Sequence, residues 1–134
     1  MPIAKILIVD DDPVHLDVMM DVADRAGYEV SGATSQEEAK EKASDGFDLI
    51  AVDIMLRPKA TDRVNRETLG GLKVISYLRG HPTLKMIPIV AISTRGDPRV
   101  VQQHLEPFGV KEYVELGGQH DMEALLATFR RALQ

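Results

Sequence analysis

The sequence predicts an α/β fold in which the five strands of a mostly parallel sheet alternate with five helices. Three short apolar runs, rich in β-branched residues, support this prediction. They are Ile6–Val9, the four residues between Asp48 and Asp53, and Ile87–Ile92. Continuous apolar runs are typical of strands buried on both faces of a parallel sheet. Helical patterns separate these runs, and strands that alternate with helices indicate a sheet covered on both faces.

The first helix follows the first strand directly. Asp12 is the predicted N-cap and Pro13 the first helical residue, and Gly27 ends the helix. The apolar stripe that we expect to face the sheet consists of Val14, Val18, Val22 and Ala26, with Met19 beside it.

The second strand begins at Tyr28–Val30, and a short second helix follows it. Ser35 and Glu38 form a capping box, which predicts a helix that runs to about Ser44. Asp45-Gly46 then forms a turn before the third strand, Asp48–Asp53.

The second half of the chain repeats this alternation after a long loop, Ile54–Leu69, which shows no clean periodicity. Gly70-Gly71 precedes a third helix that stops near Gly80. The remaining predicted elements are the fourth strand Ile87–Ile92, a fourth helix capped by Asp97-Pro98, a fifth strand Val110–Val114, and a last helix whose apolar stripe is Met122, Leu125, Leu126, Phe129 and Leu133.

The length, composition and net charge argue against several kinds of site and function. A single domain fits 134 residues, and we expect no second output domain. The chain has no cysteine, which excludes disulfides, thiol chemistry and a Cys-based zinc site. A net charge of −5 argues against direct binding of nucleic acid. The absence of cysteine favours a reducing cytoplasm. The N-terminal apolar run is too short for a signal peptide or a membrane span, so we expect no membrane partner.

Acidic residues follow two of the predicted strands. Asp10 and Asp11 come directly after the first strand, and Asp53 ends the third. In a doubly wound sheet of order 2-1-3-4-5 these two strands are neighbours. The three carboxylates would then converge at the carboxyl edge of the sheet, where such sheets bind ligands. Repulsion should raise the pKa of at least one of them unless a cation is present. Mg²⁺ prefers such oxygen ligands.

Each acid also has a simpler interpretation as a helix cap or an ordinary loop residue. Asp12 already fills the capping position beside Pro13, however, which leaves Asp10 and Asp11 without that role. Ser93, at the end of the fourth strand, carries little information by itself. It becomes relevant because Asp97 supplies the next cap and because Ser93 lies on the same edge as Asp53.

Four segments, in this order, resemble the receiver domain of two-component response regulators, and the resemblance covers essentially the whole chain. They are Lys5–Pro13 with its acidic pair, Asp48–Asp53, Gly71–Ile75 and Ile87–Ser93. The resemblance implies a flavodoxin-like doubly wound fold with a five-stranded parallel sheet in the order 2-1-3-4-5. It also implies a phospho-accepting protein that is not an enzyme, beyond slow self-dephosphorylation at most.

The resemblance also implies roles for individual residues. Asp53 would be the phosphoacceptor, while Asp11 would bind Mg²⁺ directly and Asp10 would do so through water. The backbone carbonyl of Met55 would be a further metal ligand. Ser93 and Tyr113 would be the switch residues, although Tyr113 is equally consistent with a half-buried strand aromatic. The implied partners are a sensor histidine kinase or a histidine phosphotransfer protein and a downstream protein target, with homodimer formation left open.

Two departures from the family pattern stand out. The family has a phosphate-binding Lys at the end of the fifth strand, where this chain has Leu116, followed by Gly117 in place of the usual Pro. The loop after Asp53 is also about ten residues longer than is usual for a turn of this kind. We expect this extended loop, about 54–70, to be either a solvated insertion, a partner surface, or a source of compensating cations, which would be Arg57, Lys59, Arg63 and Arg66.

Two alternatives remain open from sequence. Leu116 favours a pseudo-receiver, in which the same fold is a protein-interaction module that works without phosphorylation. Asp10-Asp11-Asp12 after the first strand also fits the motif of haloacid-dehalogenase-type phosphohydrolases, but we find no counterpart of their later Lys, second acidic pair or cap domain. Phosphatase turnover abolished by Asp10→Asn but not by Asp53→Asn would favour that enzyme.

Overall fold

The strands form one parallel sheet in the predicted order. The computed structural model describes residues 3–54, 70–93, 98–117 and 121–134, and for 98–101 only the backbone. Its strands are β1 (Lys5–Val9), β2 (Glu29–Ala33), β3 (Leu49–Asp53), β4 (Ile89–Ser93) and β5 (Glu112–Glu115). They pair in the order β2-β1-β3-β4-β5, and every pairing is parallel, which confirms the predicted topology.

Five α-helices lie within the described ranges. They are α1 (Pro13–Arg25), α2 (Gln36–Lys42), α3 (Gly70–Gly80), α4 (Pro98–Leu105) and α5 (Asp121–Ala132). Two predicted caps are present: Asp12 accepts the N–H groups of Val14 and His15, and Ser35 accepts that of Glu38. The third predicted cap, Asp97, lies outside the described residues. None of these helices is long and apolar enough to cross a bilayer.

Several element boundaries differ from the prediction, and three of these differences have a local reason. The helix α2 ends at Lys42 rather than near Ser44, because the chain tightens there into a 3-10 turn that leads to Gly46 at φ 89°. The strand β4 starts after Pro88, which has no N–H to donate to a ladder. The strand β5 starts after Val110, whose N–H is bonded instead to the Leu105 carbonyl.

The core lies on both faces of the sheet. One face packs against α1 and α5, through residues that include Leu16, Met19, Leu125 and Phe129. The other packs against α2 and α3, through residues that include Ala39, Val74, Ile75 and Leu78. Alternate strand residues serve the two faces, so β1 contributes Ile6 and Ile8 to the first and Leu7 and Val9 to the second.

The predicted core-facing stripe of α1 is wrong. Val14 and Val18 are 73% and 47% exposed, whereas the buried residues are Leu16, Met19 and Ala23. The two stripes are adjacent on the helix, since residues at 3.6 per turn place either set along one face. The stripe that packs on the sheet carries the larger Leu16 and Met19 side chains, and periodicity alone does not choose between the two stripes.

The amino edge of the sheet is held together by Arg79, near the end of α3. Its Nε donates a hydrogen bond to the carbonyl of Phe108 (2.8 Å), and Nη1 donates to the carbonyls of Ile87 (2.7 Å) and Lys85 (3.0 Å). Burial lowers the pKa of this guanidinium. One cation therefore connects α3 to the segments that lead into β4 and β5.

Candidate functional site

Three carboxylates meet at the carboxyl edge of the sheet. Asp10 and Asp11 follow β1, Asp53 ends β3, and the two strands are hydrogen-bonded neighbours with Val9 opposite Val52. One carboxylate oxygen from each of these acids lies within 4.8 Å of the other two. The predicted convergence is confirmed, and it follows directly from the strand order.

Two of these acids are almost fully removed from solvent. Asp10 is 1% exposed and Asp53 is 5% exposed, whereas Asp11 is half-buried. Buried carboxylates are costly unless hydrogen bonds or a cation compensate for the lost hydration. The arrangement is therefore a pocket of negative charge rather than a set of solvated surface acids.

Asp10 shows the electrostatic consequence. Burial raises the pKa of this carboxyl above 3.8, while hydrogen bonds from the Asp12 N–H and from His15 oppose the increase. The charge of Asp11 adds a smaller upward contribution to the pKa of Asp10. The predicted rise is present, but desolvation is its main cause, and like-charge repulsion from Asp11 is the smallest of the contributions.

His15 belongs to this site and was missed from sequence. Its Nδ1 lies 2.5 Å from Oδ2 of Asp10, while the Asp12 N–H donates to Oδ1 of the same carboxylate at 2.9 Å. A histidine in the first turn of an amphipathic helix is unremarkable as a pattern. Only the path of the chain from β1 into α1 shows that its ring faces back toward Asp10.

Glycine is required where α3 meets the end of β3. The Gly71 N–H donates to the Ile54 carbonyl at 3.1 Å, and a Cβ built on Gly71 would lie 2.2 Å from the Asp53 carbonyl oxygen. A side chain there would displace backbone rather than a flexible neighbour. This close approach fixes the strand end from which the Asp53 carboxylate projects.

The predicted switch residues lie on the neighbouring strands. Ser93 is fully buried at the end of β4, one position beyond Ile92, which pairs with Asp53. Tyr113 is half-buried in β5, opposite Ala91. These positions are consistent with the predicted switch. The switching itself stays a prediction.

Leu116 contributes an apolar side chain to the same edge. It is 3% exposed and packs in the core cluster beneath α1 and α5, and its N–H donates to the Ser93 carbonyl at 2.8 Å. The backbone of Leu116 thus lies beside Ser93, while its side chain forms part of the core.

The other predicted site residues lie outside the described ranges. They are Met55, with its proposed carbonyl ligand, and the loop cations Arg57, Lys59, Arg63 and Arg66. Their roles stay predictions, as does that of the extended loop.

The sequence from Ile6 to Glu115 matches the response regulator receiver domain family. Among curated proteins, the chain is 34% identical over 94 residues to the alkaline phosphatase synthesis transcriptional regulatory protein PhoP of Bacillus subtilis (strain 168). That alignment covers 69% of this chain and 34% of PhoP, so the chain spans about a third of that relative.

Two solved structures are similar over nearly the whole chain. The chemotaxis response regulator CheY4 of Vibrio cholerae is 26% identical with a TM-score of 0.80, and the comparison covers 98% of this chain and 100% of CheY4. A putative response regulator from Chloroflexus aurantiacus J-10-fl is 25% identical with a TM-score of 0.79, over 98% of each chain.

An acidic triad such as Asp10, Asp11 and Asp53 is typical of the Mg²⁺ site of receiver domains, which are generally phospho-acceptors rather than enzymes and generally have a kinase partner. The family match covers most of the chain, the sheet order is that of CheY-like proteins, and the acids converge where this family requires them. The chain therefore belongs to the response regulator receiver domain family of two-component signalling.

Proposed function

We propose that Asp53 accepts a phosphoryl group in a two-component or phosphorelay pathway, with Mg²⁺ as cofactor, and that the change alters a protein-binding surface. The observation that supports this most is the convergence of three carboxylate oxygens within 4.8 Å, with Asp53 at the end of a central strand. A sensor histidine kinase or a histidine phosphotransfer protein is the proposed donor. The cytoplasmic location stays a prediction.

The donor set suits Mg²⁺. All three side chains offer carboxylate oxygen, the ligand type that this hard cation prefers, and none offers sulfur or nitrogen. Asp11 would bind the ion directly, together with Asp53 and the Met55 carbonyl. Asp10 already accepts hydrogen bonds at both oxygens, which supports the proposed contact through a metal-bound water. When bound, Mg²⁺ supplies positive charge that compensates for the negative charge of the transferring phosphoryl group.

The proposed transfer uses the Asp53 carboxylate as the nucleophile. One oxygen of Asp53 forms a bond to phosphorus while the bond from phosphorus to the donor breaks, so the product is an acyl phosphate and a released donor. With a phosphohistidine donor the broken bond is P–N, and the imidazole keeps the electron pair and takes up a proton. The rigid attachment of Asp53 between β3 and Gly71 favours an aligned approach.

The proposed output involves Ser93 and Tyr113. The Ser93 hydroxyl would donate a hydrogen bond to a phosphoryl oxygen, and the end of β4 would move with it. Tyr113 would respond on the neighbouring strand, which changes the surface formed by α4 and β5. A local charge change would thereby bias two arrangements of one surface, to which a downstream protein binds. Direct nucleic-acid binding is not part of this proposal.

Leu116 supports a second candidate, the pseudo-receiver. A buried leucine holds the position where the family places its phosphate-binding Lys, so the site lacks that charge on the phosphoryl group. In this alternative the fold binds its partner without phosphorylation. The retained Asp10, Asp11 and Asp53 argue for the first candidate, because a module without metal or phosphate chemistry gains nothing from repelling buried charges.

Incubation with Mg²⁺ and acetyl phosphate, followed by intact-mass measurement, tests the proposal. We expect the mass of one phosphoryl group to be added to the wild type and to Asp45→Asn, a matched change at an exposed acid. We expect no addition to Asp53→Asn, or to the wild type with EDTA. A wild type that stays unmodified after prolonged incubation would support the pseudo-receiver instead.

A further inference from the structure

The contact between His15 and Asp10 joins two elements at the acidic pocket. The imidazole lies in the first turn of α1, and its Nδ1 contacts Oδ2 of Asp10 at 2.5 Å. The histidine side chain is 27% exposed, whereas that of Asp10 is only 1% exposed. The contact therefore lies at the boundary between the solvent and the buried carboxylate.

Each oxygen of the Asp10 carboxylate accepts a hydrogen bond, one from a backbone N–H and the other from a side chain. The Asp12 N–H donates to Oδ1 from the loop, and the His15 ring donates to Oδ2 from the helix. Two donors at opposite oxygens fix the plane of a carboxylate, which a single donor leaves free to rotate. An ionised carboxylate has about four acceptor sites, so these two bonds leave sites for a metal-bound water.

We infer that His15 is a positioning residue, which orients the Asp10 carboxylate for cation binding at the acidic pocket. This inference rests on the proposed function, since it assumes that Mg²⁺ binds among Asp10, Asp11 and Asp53. Groups that hydrogen-bond to the ligands of a metal site orient those ligands, and their loss typically weakens metal binding about 10- to 100-fold. His15 occupies such a place toward Asp10, and neither the family pattern nor the residue spacing assigned it any role.

A simpler interpretation is that the contact only connects α1 to the strand end. Two substitutions separate the interpretations. His15→Leu fills similar space without a donor. His15→Asn retains one, because the asparagine Nδ2 occupies a place close to that of the imidazole Nδ1. If His15 acts by positioning, asparagine should rescue what leucine loses.

Mg²⁺ affinity measured by isothermal titration calorimetry at one fixed pH tests the inference. We expect His15→Leu to bind Mg²⁺ about 10-fold more weakly or worse. We expect His15→Asn to stay close to the wild type. His104→Leu makes the same change at an exposed position of α4 and should have no effect. Thermal denaturation verifies that each variant is folded. Were His15→Leu unfolded, His15→Gln would replace it, since its amide lies nearer the position of the ring Nε2.

The outcomes distinguish this inference from the proposed function. If the wild type binds Mg²⁺ and His15→Leu binds it equally well or more tightly, the positioning role is wrong and the proposed function stands. If asparagine binds as weakly as leucine, the ring contributes packing rather than a positioned donor, and the inference is again overturned. A wild type that binds no Mg²⁺ would overturn both.

Discussion

The two edges of the sheet differ in how they accommodate charge that is partly or fully removed from solvent. At the amino edge, one guanidinium, that of Arg79, is matched to three backbone carbonyls. At the carboxyl edge, three carboxylates of the same sign lie within 4.8 Å of one another, and burial raises the pKa of Asp10. The first edge satisfies its charge with hydrogen bonds, whereas at the second edge the hydrogen bonds of Asp10 only partly offset the desolvation of its carboxylate.

This difference separates a structural site from a functional one. Hydrogen bonds to a buried ion contribute to stability when every partner is satisfied. A group of like charges opposes folding, and it is retained where a ligand supplies the opposite charge. Arg79 thus connects the segments that lead into β4 and β5. The stability that these contacts contribute helps to offset the unfavourable burial of the acids at the carboxyl edge.

We expect the largest loss of stability from a substitution that disturbs the contact between α3 and the end of β3. Gly71→Ala should lower the free energy of unfolding by about 3 kcal/mol, because its Cβ would overlap the backbone of Asp53 and Ile54. Urea denaturation followed by circular dichroism measures the change. Gly80→Ala is the matched control in the same helix, because no atom lies within 4 Å of the Cβ that it would add.

Equal stabilities of the two alanine variants would contradict the close approach of α3 to β3. The carboxyl edge would then be looser than the contact between Gly71 and Asp53 implies. The rigid placement of the acids would lose its main support.

Removal of the Arg79 guanidinium should cause the next largest decrease in the free energy of unfolding. Arg79→Met keeps much of the side-chain length but leaves three carbonyls without their donor, at a cost of about 2 kcal/mol in unfolding free energy. Arg130→Met, at an exposed position of α5, should change stability by no more than about 0.5 kcal/mol. If the two substitutions cost the same, the Arg79 hydrogen bonds do not stabilise the amino edge.

Removal of the desolvated charge of Asp10 should stabilise the fold. In the metal-free protein, Asp10→Asn should raise Tm by a few degrees near pH 7. The reason is that a carboxyl whose pKa is raised in the folded state favours folding only while it is protonated. That stability is present below the unfolded value of 3.8 and is lost as pH rises through the higher folded pKa.

The gain from Asp10→Asn should therefore shrink as the pH falls, because protonated Asp10 is as neutral as asparagine. Differential scanning fluorimetry from pH 7 into the acid range measures it. Asp17→Asn, at an exposed position in the middle of α1, should show no such gain. A lower Tm for Asp10→Asn at pH 7 would contradict the electrostatic difference between the two edges.

Sequence was sufficient for the alternation of strands and helices, and the strand order that the family resemblance implies then placed the acids together. Continuous apolar runs fixed the number of buried strands, and the convergence of Asp10 and Asp53 followed once strands one and three were neighbours. The caps at Asp12 and Ser35 were also predictable, because capping depends on side-chain chemistry within a few residues.

Sequence failed where a choice depends on three-dimensional packing. Two apolar stripes on α1 were equally periodic, and only the sheet decides that Met19 is buried and Val14 is not. The role of His15 depends on how the chain turns from β1 into α1, and that of Arg79 on three carbonyls from segments distant in sequence. None of these contacts leaves a pattern in the residues.

The most direct test of the acidic pocket is the thermal stability of the wild type as a function of Mg²⁺ concentration. A ligand that binds only the folded state raises Tm with its concentration, so we expect a saturable increase with MgCl₂. KCl at matched ionic strength should not reproduce it, because screening alone lacks a binding site. An increase that KCl reproduces fully, or no increase at all, would contradict a cation site among Asp10, Asp11 and Asp53.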